Sequence, residues 1–174
     1  MESNTGGNTF LDTDAVLVAL TDQTALISTN PAEIPFFLDS GASNHISCSR
    51  SDFSMFHQLI EPQRICGIGN ILIHAVGIGT IELFLPETNT QLHLVNALFT
   101  PEAMVKLVSI HQLNQLGYTM VFHSGQCQLT KGGNLIVDCL PSPSNLYALP
   151  TAPTQTTLAL NSLHITPDLK TWHK

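Results

Sequence analysis

The chain has 174 residues, 43% hydrophobic and 11% charged, which suits one domain with its own core rather than two domains or a disordered chain. Thirteen acidic against six basic side chains give a formal net charge of −7, so the segment lacks the positive surface needed to grasp phosphate backbones. No apolar stretch reaches the roughly 18 residues of a membrane-spanning helix, and MESNTGGNTF has neither the basic start nor the apolar run of a secretory signal.

Residues 1–33 mix Thr, Asn, Asp and Gly around one apolar run, AVLVAL, and read as a linker. From Ile34 the character changes. FFLD is a compact apolar run that stops at the small residues SGAS, the pattern of a buried strand entering a tight loop. In SCSRSDFSMFHQL a helical turn is expected around Asp52 to Phe56. RICGIGNILIHAVGIGTIELFLP and QLHLVNALF are rich in Ile, Leu and Val, broken by glycine, and read as strands joined by hairpins, with Asn89 in the last turn.

KLVSIHQLNQLG has Leu107, Ile110, Leu113 and Leu116 at three-residue spacing, which predicts a helix ending at Gly117. Thr100, Pro101 and Glu102 resemble a cap, a first-turn proline and a dipole-matching acid for its start. YTMVFH, QCQLT and NLIVDCL follow as strands around HSG and KGG turns, and LYAL is expected as a last edge strand. Residues 150–174 are thinly apolar and read as a second linker. The sum is an all-β domain with one helix over residues 34–149.

FFLDSGAS carries the chemistry. A carboxylate directly after a buried strand, followed by Ser and Gly, is what half of an aspartic protease site needs, with Asp39 expected at the floor of a cleft. Gly41 permits close backbone approach, and Ser40 can hydrogen-bond across to a second loop. One carboxylate cannot do the reaction; two must share a proton because like charges so close cannot both ionise. The chain has a single D-[S/T]-G, so for such a site the second aspartate must come from a second copy in a two-fold dimer. Taken alone, DSG is a weak signal, since such a tripeptide is far more often a turn whose Asp caps its own backbone. GASNH lacks the second glycine of a serine-hydrolase elbow, and Asn44 stands where a DSGxxS motif needs serine.

FFLDSGASNHIS, with His45 close behind the motif, resembles the retropepsin-type protease segment of copia-type LTR retrotransposon Gag-Pol polyproteins, with Phe36 and Phe37 where that family commonly has tryptophan. ICGIGNILIHAVGIGTIEL resembles its flap hairpin, with a tip at Gly67, Ile68 and Gly69. LHLVNALFTPEAMVKLVSIHQLNQLGYTMVF resembles its strand, loop and helix, with Ser109 where viral retropepsins carry glycine. TWHK resembles the start of the integrase zinc-binding region, which makes residues 150–174 a linker toward that region, with His173 metal-free because the remaining ligands are absent from this sequence.

The resemblance implies a small closed β-barrel forming a homodimer, an aspartic endopeptidase with Asp39 catalytic and Ser40, Gly41 and Ala42 supporting. Gly67, Ile68 and Gly69 would lie over an extended polyprotein peptide, and no cofactor is implied. It also implies an intracellular, cytoplasmic setting in a virus-like particle. The rival expectation is a transposon-derived barrel that cleaves nothing and serves as a structural or interaction module; a nucleic-acid-binding barrel is disfavoured by charge. His45, Cys48 and His57 suggest a metal set only superficially, since a fourth ligand must come from afar. Cys48, Cys66, Cys127 and Cys139 form no CxxC pair and read as reduced, mostly buried thiols. Phe53, Met55 and Phe56 are expected in the core.

Overall fold

The structure, a computed structural model, describes residues 15–16, 30–67, 72–143 and 145–151. These form mostly strands: β1 (Ala15–Val16), β2 (Phe36–Asp39), β3 (Ile46–Ser47), β4 (Phe53–Gly67), β5 (Leu72–Leu85), β6 (Thr90–Phe99) and β7 (Lys106–Ser109). One short helix, α1 (Ile110–Gln115), precedes β8 (Tyr118–His123), β9 (Gln126–Lys131), β10 (Asn134–Pro141) and β11 (Tyr147–Ala148). The strands join in a barrel-like sheet ordered β1-β4-β5-β6-β3-β7-β2-β11-β10-β9-β8, so the all-β expectation with one helix holds.

β2 reads as an unbroken apolar run because both of its faces are covered. Phe36 and Leu38 enter one core cluster with Leu83, Leu92, Leu94, Val108 and Leu113. Phe37 enters a second with Ala42, Ile46, Ile65, Ala75, Leu98 and Leu107. The strand lies between β7, parallel to it, and β11, antiparallel to it.

β4 and β5 form a long hairpin whose register shifts twice, between Phe53 and Met55 and between Gln58 and Gln63. Glycine is required where the strands close up. A Cβ on Gly79 would lie 2.0 Å from the Met55 carbonyl oxygen, and one on Gly77 would lie 2.3 Å from the Phe56 ring. Phe56 packs edge-on against Phe53 and Phe99, with the Arg50 guanidinium 3.8 Å above its ring centre. Phe53 is buried, but Met55 is exposed, so only part of that expected aromatic and Met core lies inside.

Three local expectations change. Lys106–Ser109 is a strand rather than the first turn of the helix, because its backbone pairs in parallel with β2 and all four residues are buried. The helix therefore begins at Ile110, capped by Ser109, and Thr100, Pro101 and Glu102 lie in the turn before β7. A 3-10 turn occupies Arg50–Asp52, after which Phe53 already opens β4. LYAL is not an edge: β11 sits between β10 and β2, with Ala148 opposite Phe37. Gly117 does end the helical segment, at φ 83°, and Asn89 takes its turn at φ 50°. β1 pairs in parallel with Cys66 and Gly67.

Candidate active site

Asp39 is the last residue of β2, opposite Ser109, the last of β7. Both strands stop there, and the chain turns sharply through Ser40 and Gly41, which are exposed, to Ala42, which is buried. The turn is built by the carboxylate itself, since the Gly41 amide donates to Asp39 Oδ1 at 2.7 Å. The self-capping geometry of an ordinary DSG turn is thus present, and it leaves the half-buried carboxyl at the strand end. Burial pushes the Asp39 carboxyl above the usual carboxylate range, outweighing the amides of Gly41 and Ala42, which pull it down. Among the described residues no cation lowers it. A group so placed is biased toward the protonated form that a shared-proton carboxyl pair uses.

Behind the turn lies a buried polar network. Ser109 Oγ donates to the Ala42 carbonyl at 2.6 Å and accepts the Gln112 amide at 3.2 Å. The Ser109 amide donates to His45 Nδ1 at 3.0 Å, and the His45 carbonyl accepts the Leu98 amide at 2.8 Å. Below these, Lys106, 1% exposed, sets its ammonium 2.8 Å from Asp52 Oδ2 and donates to the Ala32 carbonyl. Ser47 Oγ also donates to Asp52. The loop that carries Asp39 is fixed from beneath by β3, β7 and the start of α1.

Sequence reasoning placed His45 only behind the motif and in a superficial metal set, and missed Lys106 and Asp52 as a buried pair. A lone charge in the apolar run KLVS was the available signal for a buried ion pair, but Asp52 is too distant in sequence for any local pattern to supply its partner. Of the flap residues, Gly67 ends β4, whereas Ile68 and Gly69 lie outside the described residues, as do Trp172 and His173. The described hairpin closes on Cys66 opposite Leu72. Its Ile65 and Ala75, near the turn end of the hairpin, share the apolar cluster of Ala42 and Ile46, so that end packs in the same core as the Asp39 loop. His45, Cys48 and His57 do not gather; among the described residues no group of His, Cys, Asp or Glu is arranged to hold a metal. No helix among them is long and apolar enough to cross a membrane.

Residues 36–118 match the family model described as Pol polyprotein, beta-barrel domain. The match supports a retroelement Pol polyprotein segment. It begins at β2 and ends as β8 begins, so it takes in the Asp39 loop, the long hairpin, β7 and α1. No curated protein and no solved structure matches the chain significantly.

Proposed function

We propose that this Pol polyprotein segment is a copia-type aspartic endopeptidase whose site is completed when two copies bring their Asp39 carboxyls together. The observation that carries it is a half-buried carboxyl, raised toward its protonated form, at a strand end whose loop is clamped from below. In the dimer one Asp39 is ionised and draws a proton from a water as that water attacks the scissile carbonyl. The other is protonated and hydrogen-bonds to the developing oxyanion; the pair titrates as a unit. Gly41 lets the two loops approach, the exposed Ser40 is free to bond across, and Ala42 roots each loop. The hairpin ending at Gly67 covers an extended polyprotein peptide, whose main chain supplies the hydrogen bonds such a cleft uses.

A site shared between copies has a distinctive signature. Unlabelled and Asp39→Asn chains, mixed in equal amounts and allowed to exchange partners, should retain about one quarter of the cleavage of the same total of wild-type chain, since only that fraction of random dimers carries two aspartates. Half the activity would mean that each chain cleaves alone, which contradicts the shared site.

A second reading has an observation in its favour. The matched family is described as a barrel domain with no activity named, and the Asp39–Gly41 bond would form equally in a barrel that only docks to other parts of the polyprotein. A monomer inert toward peptides would decide for it.

A further inference from the structure

His45 lies six residues beyond Asp39, at the entry to β3, with its side chain 0% exposed. Its Nδ1 accepts the Ser109 amide, so the ring is neutral with its proton on Nε2. That Nε2–H has no hydrogen-bond partner among the described residues. An apolar side chain would fill the same volume without burying an unpaired donor, so packing alone does not account for an imidazole here. The Nδ1 bond does account for it. Without it the buried Ser109 amide would lose its acceptor, and Ser109 is the residue that also holds the Ala42 carbonyl and caps α1. The segment leaving Asp39 is therefore tied at Ala42 and at His45 to one residue of the β7–α1 junction, directly opposite Asp39.

We propose that His45 is a positioning residue for the Asp39 carboxyl, clamping the active loop to Ser109 through a neutral ring that accepts at Nδ1. Protonation would set an N–H against the Ser109 N–H and open the clamp. Burial alone holds the His45 pKa down, to about 4. The charged and titratable groups on the elements around it are Asp39, Cys48, Arg50, Asp52, His93, Lys106 and His111, and none of them contributes to that shift. The effect of the clamp on cleavage rests on the proposed protease activity, whereas its effect on loop order does not.

Amide exchange of the isotope-labelled full chain separates the two. In the wild type, protection of the Ser109 amide should fall at least ~10-fold relative to the Leu94 amide of β6 as pH drops from about 5 to 3.5. His45→Asn, whose Oδ1 can accept the same bond without titrating, should keep that ratio flat. His45→Leu should lower Ser109 protection at every pH and shift the Asp39 carboxyl titration followed by carbon NMR. In peptide cleavage, His45→Leu should lower kcat ~10-fold or more with KM little changed, and His45→Asn should restore it with the acid limb of the pH profile displaced downward. Ser109 protection that tracks Leu94 at every pH in the wild type would overturn the proposal, and that measurement stands even where His45→Leu fails to fold. So would His45→Leu leaving Ser109 protection and the Asp39 titration unchanged. Should the exchange results hold while no variant cleaves, the clamp is established and the protease proposal falls.

Discussion

Asp39 is held between two opposing influences: burial that disfavours its charge, and the amides of Gly41 and Ala42 that favour it. Burial wins, and the sign of the consequence follows. In the folded chain the carboxyl protonates at a higher pH than in the unfolded chain, so ionised Asp39 weakens the fold at neutral pH and the penalty is relieved as pH falls through the raised pKa. Asn keeps an oxygen for the Gly41 amide and carries no charge. Asp39→Asn should therefore melt at a higher temperature than wild type at neutral pH, with the gap narrowing on acidification; a lower melting temperature for the variant at neutral pH would show that the carboxylate is a net stabiliser. A residue that costs stability in its charged form is the kind a protein keeps for chemistry.

Elements around the site succeed or fail on close approach and on buried charge. Gly79→Ala should cost roughly 2 kcal/mol or more in urea unfolding, because the obstructing atom is the Met55 carbonyl oxygen and backbone must move. Gly77→Ala should cost less, since the Phe56 ring it meets can turn aside. Lys106 joins β7 to the Arg50–Asp52 turn through a pair that is nearly water-free. Lys106→Met leaves Asp52 buried without its cation, so it should cost about 3–5 kcal/mol. Combining it with Asp52→Leu should recover part of that loss, and equal unfolding midpoints for single mutant and wild type would mean that the pair is idle. These elements were unequally legible. FFLD, the glycine-broken strands and the three strands after Gly117 declare themselves through composition and turn residues. The start of the helix did not, because Leu107 and Val108 continue its apolar period backward while their backbone belongs to β7. That pairing is with a strand some 70 residues earlier, a partner no local period reveals. The Asp39 motif was legible as a tripeptide in context; the His45–Ser109 clamp was not, since it joins residues 64 apart.

At the scale of the molecule, the sheet order puts β2 and β7 side by side with Asp39 and Ser109 at matching ends, and the turn end of the long hairpin shares the apolar cluster of Ala42 and Ile46. One chain supplies one DSG carboxyl, so the proposed chemistry depends on two barrels meeting at that loop. The most direct measurement incubates the full chain and its Asp39→Asn variant with a proteome-derived peptide mixture at about pH 5, where a carboxyl pair sharing one proton can work, and reads new termini by mass spectrometry. The wild type should cut, at a rate that rises more steeply than linearly with protein concentration, and the variant should produce no cuts. Equal cleavage by both chains, or none by the wild type at concentrations where it is dimeric, would contradict an aspartic site at this loop.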